Sequence, residues 1–150
     1  MYKYFANALI VNEGREEYGN ILVKANRIEA ISNDPLSDLP LDTEYIDCTG
    51  LIAIPGIIDA HVHFRQPGLE YKADMSSESQ AALAGGVTTV LEMPNTNPTT
   101  TSEKSLEDKL KLANENMYCN YGFFFGLTNS NYSTAKTIAR DNCCGLKLFL

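Results

Sequence analysis

Hydrophobic positions change their pattern near residue 55. Before it, Lys3–Val11, Asn20–Lys24, Arg27–Ser32 and Tyr45–Asp47 are short runs rich in Ile, Val, Leu and aromatics. Glu13-Gly14, Ala25-Asn26 and Asn33-Asp34-Pro35 separate them with turn-forming residues. The pattern predicts a small β-unit over residues 1–55. A unit of that size buries too little surface to be robust alone, so it is expected to pack on something larger.

Beyond Pro55 strands and helices alternate. Leu51–His63 reads as one apolar strand, and Tyr71–Ala84 as a helix closed by Gly85-Gly86. Val87–Met93 is a strand rich in β-branched residues. Ser102–Asn116 is the clearest helix, with Ser102 as N-cap and Leu106, Leu110, Ala113 and Met117 on one face. Tyr118–Leu127, Asn131–Arg140 and Cys143–Leu150 follow as strand, helix and strand. Such alternation predicts an α/β fold of βα units on a parallel sheet, with strands buried on both faces. A doubly wound sheet and a barrel both satisfy it.

Length narrows the organisation. The 150 residues suffice for one ordinary domain but not for a complete (β/α)8 barrel, which needs roughly 200 or more. Leu146–Leu150 ends the sequence without a turn, cap or polar tail, so the chain is read as the first portion of a longer one. A net charge of −7 argues against nucleic acid and acidic membrane surfaces as partners, and an anionic ligand would need a local cation. Four cysteines, at 48, 119, 143 and 144, form no C-x-x-C pair. With no signal-like apolar region at Met1–Val11, free thiols in a reducing cytoplasm are expected. No run approaches the roughly 18 apolar residues of a membrane span.

The strongest chemical signal is Asp59-Ala60-His61-Val62-His63-Phe64-Arg65, which holds both histidines of the chain. Side chains at i and i+2 of a strand share a face, so two imidazoles there can meet one metal ion. The carboxyl ends of strands are where sites gather in parallel α/β folds. Two unrelated histidines are the bland alternative. Lys147 is the lone charge in Gly145–Leu150. Burial would favour its neutral amine, which reacts with carbon dioxide to give a carbamate able to bridge two metals. On residue type alone, a lysine snorkelling to solvent is the simpler reading. Leu91–Pro98 forms a proline-restricted loop in which Asn95 and Asn97 offer donors and acceptors, suited to ligand recognition or to an ordinary turn. Arg65 shares the parity of His61 and His63 if the strand continues that far, and a guanidinium there could hold a carboxylate.

Together these segments resemble the cyclic amidohydrolases, and the dihydroorotases most closely. Pro55–Gly68 is similar to the family's opening motif. Gly85–Val90 with Met93–Pro98 is similar to its second, and Gly145–Phe149 to the segment bearing a carbamylated lysine. The resemblance implies a (β/α)8 TIM-like barrel, its first four strands within 56–150, and a small β-sandwich-like domain to which 1–55 contribute. It implies metal ligation by His61, His63 and carbamylated Lys147. Zn2+ is the expected ion, one or two, with other divalent metals open. Arg65 and Asn95 would bind the substrate carboxylate, and the general acid/base Asp is expected beyond residue 150. The implied reaction is reversible closure of N-carbamoyl-L-aspartate to L-dihydroorotate by metal-activated hydroxide, in pyrimidine synthesis. A small anionic substrate is thus the expected partner, and a homodimer is left open. A hydantoinase or allantoinase, and a non-catalytic assembly subunit, remain as alternatives.

Overall fold

The computed structural model describes residues 1–138 and 142–149. The predicted ends of the third helix at Arg140 and of the last strand at Leu150 lie outside the described residues. Two compact units divide the chain, Met1–Pro55 and Gly56–Leu150.

In the first unit, β1 (Tyr2–Asn12), β2 (Arg15–Lys24), β3 (Arg27–Ser32), β4 (Thr43–Asp47) and β5 (Ile52–Ala53) form one sheet of order β3-β2-β1-β4, with β5 also on β1. The hairpins β1–β2 and β2–β3 are antiparallel, whereas β4 and β5 run parallel to β1. Tyr4, Ala6 and Leu22 make its core. Strand β2 begins five residues before the predicted start. Its polar Arg15, Glu16 and Glu17 pair across the ladder with Asn12, Val11 and Ile10 on a solvated stretch, where no hydrophobic signal is required. A sandwich-like unit is expected from the resemblance, but these described residues make a single mixed sheet. A sandwich needs a second facing sheet, and every strand here joins the first.

In the second unit, β6 (Ile57–Val62), β7 (Val87–Glu92), β8 (Asn120–Gly126) and β9 (Gly145–Lys147) form a parallel sheet in that order. Helices α1 (Met75–Ala84), α2 (Glu103–Asn116) and α3 (Tyr132–Thr137) connect successive strands. Phe64, Met75, Val90, Leu106, Phe123 and Phe125 are buried together between sheet and helices. The predicted single strand Leu51–His63 is in fact two strands in different units. Pro55 cannot donate to a ladder, and at Gly56 a Cβ would overlap the Thr88 side chain. Strand β6 is also not buried on both faces as predicted, since Ile57 and Ile58 are 46% and 63% exposed. Among the described residues it has one strand neighbour, β7.

Helix α1 starts at Met75 rather than Tyr71. The Asp74 side chain accepts from Ser77 N–H at 2.8 Å and caps it. Its other end closes at Gly85 with Gly86 at φ +83°, a left-handed position suited to glycine. Helix α2 begins where predicted. Ser102 Oγ accepts from Ser105 N–H, and Ser105 Oγ accepts from Ser102 N–H, each at 3.1 Å. Leu106, Lys109 and Ala113 form its buried stripe. No helix among the described residues is long and apolar enough to cross a membrane. Replacement Ser102→Ala is expected to cost about 1 kcal/mol by loss of the cap, read by urea unfolding, with no change in helix boundaries by amide exchange.

Candidate metal and ligand site

Because β6 to β9 are parallel, their carboxyl ends lie along one edge of the sheet. His61 sits in β6 and His63 one residue past its end. Their rings face each other at 5.3 Å between centroids, tilted by 51°. His61 N–H donates to Asp59 Oδ1 at 3.0 Å, which fixes the backbone at the strand tip. His63 is half-buried, and its Nδ1 lies 2.8 Å from Asn95 Oδ1. An amide oxygen only accepts, so this bond puts the proton on Nδ1 and leaves the Nε2 lone pair for a ligand ion. A hydrogen-bond acceptor on the other ring nitrogen of a ligating histidine commonly performs this service.

The loop after β6 and the loop after β7 are joined at several points. Met93 N–H donates to the Val62 carbonyl at 3.1 Å, and Asn97 N–H to the Pro67 carbonyl at 3.0 Å. A side chain at Gly68, where φ is +85°, would overlap the Asn97 carbonyl. Pro94, Thr100 and Gly126 carry the stitching onward to β8 through Thr100 N–H to Pro94 O and Gly126 N–H to Thr100 O. Asn95 is thereby held at the tip of a braced loop.

Arg65 departs from its expected geometry. Strand β6 ends at Val62, so the strand parity linking Arg65 to the histidines does not hold. Arg65 instead occupies a left-handed turn with φ +68° and accepts at its carbonyl from Leu69 N–H at 3.2 Å. Lys147 ends β9, paired with Gly126 of β8, and its carbonyl accepts from Leu127 N–H at 2.8 Å. It is half-buried rather than buried, and Nζ stands 5.4 Å from the Phe149 ring centre. No group of three or more His, Cys, Asp or Glu with metal-holding geometry occurs among the described residues. The histidine pair is chemically suited to a transition-metal ion, but a full coordination sphere needs further donors. The four cysteines are free thiols and lie outside the histidine cluster.

Two residues without a role in the sequence reading stand directly beneath these loops. Glu92, the last residue of β7, and Lys109 of α2 are each about 1% exposed, with Lys109 Nζ 3.3 Å from Glu92 Oε2. Lys109 Nζ also lies 3.4 Å from the Met93 carbonyl and 4.9 Å from the Phe123 ring centre. Burial pushes the Glu92 carboxyl up and the Lys109 amine down, and each partner's charge opposes the other's shift. The signals were present. Glu92 is the only charge in an otherwise apolar or Thr-bearing strand, and Lys109 falls on the Leu106–Ala113 stripe.

Comparison with known proteins gives a family and close relatives. A sequence model described as "Amidohydrolase family" matches residues 52–144. The dihydroorotase of Methanothermobacter thermautotrophicus is 36% identical over 142 residues, covering 95% of this chain and 30% of that protein. The multifunctional protein pyr1-3 of Dictyostelium discoideum is 41% identical over 114 residues, covering 74% of this chain and 5% of that protein. The solved structure of L-hydantoinase (dihydropyrimidinase) from Arthrobacter aurescens superposes with a TM-score of 0.88 at 28% identity, covering 96% of this chain and 32% of that one. The chain thus spans less than a third of the length of each of these proteins.

Replacing Lys109 by Met strands the Glu92 charge and is expected to cost about 3–5 kcal/mol near neutral pH. Burial already raises the folded-state pKa of Glu92 above its ordinary value. The protonated form is favoured by the fold, so its contribution is full in acid and falls as pH rises through the raised value. The Lys109→Met penalty should accordingly shrink below the ordinary glutamate range. Urea unfolding of wild type and variant across that range checks both the size and the sign.

Proposed function

The chain belongs to the amidohydrolase family, and from that premise we propose that it is the amino-terminal part of a dihydroorotase, interconverting N-carbamoyl-L-aspartate and L-dihydroorotate. The architecture proposed for the whole protein is a (β/α)8 barrel with a small sandwich-like β-domain. The observation that carries the reading is the histidine pair at the carboxyl edge of a parallel sheet, with the ring of His63 oriented by Asn95.

Family membership implies a divalent metal, with Zn2+ as the proposed ion. His61 and His63 would hold it through Nε2, and carbamylated Lys147 would join them. In a flat sheet about three strand spacings, roughly 14 Å, separate β6 from β9. Closure into a barrel would turn both strand tips toward a common axis. When bound, such a metal acidifies water and polarises an amide carbonyl. The remaining work falls to this chain's own side chains. Asn95 keeps the Nδ1 proton on His63 and still has its Nδ2 donors for a ligand. Arg65, on the neighbouring loop, would pair with the substrate carboxylate. A guanidinium offers two parallel hydrogen bonds and excludes rings lacking that group. The proton transfer at the ring nitrogen is assigned to an Asp outside this chain.

A hydantoinase-type activity is the second reading, favoured by the structural likeness to L-hydantoinase. Turnover of dihydroorotate, hydantoin and allantoin by the full-length protein separates the two. Dihydroorotate should be the preferred substrate, and Arg65→Ala should lower its kcat/KM by at least about tenfold. Preference for hydantoin, or an unaffected Arg65→Ala enzyme, would contradict the assignment. Asn95→Leu removes the partner of His63 Nδ1 and should weaken divalent-metal affinity by about 10–100-fold. Competition with a chelating dye reads this, and an unchanged affinity would remove Asn95 from the metal's support.

A further inference from the structure

Asn131, half-buried between β8 and α3, commits its whole side chain to backbone groups. Its Oδ1 accepts from Thr128 N–H at 2.8 Å. Its Nδ2 donates to the Gly126 carbonyl at 2.8 Å and to the Thr101 carbonyl at 2.9 Å. Both amide protons are thereby used. The Thr128 contact alone would close the loop after β8 as an ordinary asparagine turn. The two donor contacts do something further, since they tie the loop after β7 to the last residue of β8.

That last residue is the partner of Lys147. Gly126 stands opposite Lys147 in the β8–β9 register, and Leu127 N–H donates to the Lys147 carbonyl at 2.8 Å. Gly126 N–H donates in the other direction, to the Thr100 carbonyl at 2.8 Å. The tip of β8 is therefore held by Thr100 and Thr101 on one side and carries Lys147 on the other. A Cβ at Gly126 would come within 3.0 Å of Thr101 Cγ2 and 3.3 Å of the Pro94 ring, so the loop after β7 lies directly against this tip. Strand β9 has 3 residues, and among the described residues β8 is its one strand neighbour. A strand so short has few ladder bonds of its own, so β8 sets where its tip stands.

We propose that Asn131 is a positioning residue for Lys147: by pinning the Gly126 carbonyl to the loop after β7, it fixes the height at which β9 presents the lysine. The inference rests on the reading of Lys147 as a carbamylated metal ligand and deepens it. With both Nδ2 protons committed to carbonyls, Asn131 acts through backbone placement. In the modification, the neutral Nζ of Lys147 forms a C–N bond to carbon dioxide and releases one proton, with no oxidant or reductant. The step is reversible, and a metal that binds the carbamate but not the amine holds it in place by mass action. A lysine displaced from the ligating position gains less of that stabilisation, so loss of Asn131 lowers carbamate occupancy.

The test uses the full-length, zinc-loaded protein equilibrated with isotope-labelled bicarbonate and read by carbon NMR. A carbamate resonance that disappears in Lys147→Arg reports occupancy at this residue. Turnover of dihydroorotate is followed in parallel over a series of bicarbonate concentrations. Asn131→Ala is expected to lower occupancy at limiting bicarbonate about threefold or more, and to raise the bicarbonate needed for half-maximal turnover about fivefold or more. Asn131→Asp keeps an acceptor for Thr128 N–H but turns oxygen toward the two carbonyls, and its loss of occupancy should be at least as large. An alanine variant with a lower melting temperature but wild-type occupancy and bicarbonate dependence would make Asn131 merely structural and overturn the proposal. If neither variant folds, Asn131→Ser decides, because its hydroxyl can accept from Thr128 N–H but cannot bridge both carbonyls. Lowered occupancy in that variant supports the positioning role, and wild-type occupancy refutes it. The NMR arm needs no substrate, so it reads the inference even if dihydroorotate is not turned over. Wild-type protein without a resonance that Lys147→Arg removes would overturn the carbamate reading and this inference with it. A wild-type carbamate with insensitive Asn131 variants would overturn this inference alone.

Discussion

At the carboxyl end of β6, the Val62 carbonyl accepts a hydrogen bond from Met93 N–H. This contact prolongs the parallel register in which Val62 lies opposite Glu92, and the candidate site is laid out from it. It brings the residues that follow β6, His63 and Arg65, beside those that follow β7, Met93 to Asn97. The His63–Asn95 bond and the Asn97–Pro67 bond are then short-range consequences. A register slip of one residue would reverse the faces of His61 and Glu92 and dissolve the arrangement.

Beneath these loops the unit accepts a cost. A carboxyl and an amine are taken out of water at Glu92 and Lys109, while the surrounding Phe123, Leu106 and Val90 supply the apolar burial that holds the sheet to α2. Buried ion pairs commonly contribute orientation more than net stability. Here the Lys109 amine lies 3.4 Å from the Met93 carbonyl at the start of the loop after β7.

Much of this was legible in the sequence, and the remainder was hidden for identifiable reasons. Alternation after Pro55 gave the order of strands and helices, because parallel βα units need apolar strands and one-faced helices. Ser102 announced α2 because its cap is local chemistry. The start of α1 was misplaced because Tyr71 and Ala73 resemble helix formers, while the Asp74 cap sets the boundary. Pro55-Gly56 hid the division of one apolar run into two strands of different units. The His61–His63 pair was legible from its i, i+2 spacing. The turn at Arg65 was not, since a left-handed backbone at a residue other than glycine leaves no mark in residue type. Lys109 was hidden by its type: lysine on a helix is usually solvated, and only its place on the Leu106–Ala113 stripe marked it as buried.

The family, the parallel sheet and the paired imidazoles converge on one physical claim, that His61 and His63 together grip a divalent metal. Metal-edge X-ray absorption of the full-length protein measures this directly. The account predicts a bound divalent ion with imidazole nitrogens at about 2.0–2.1 Å, and loss of the imidazole scattering paths assigned to this pair when both residues are replaced by alanine. A protein that binds no divalent metal, or one whose absorption spectrum is the same after both replacements, would contradict it.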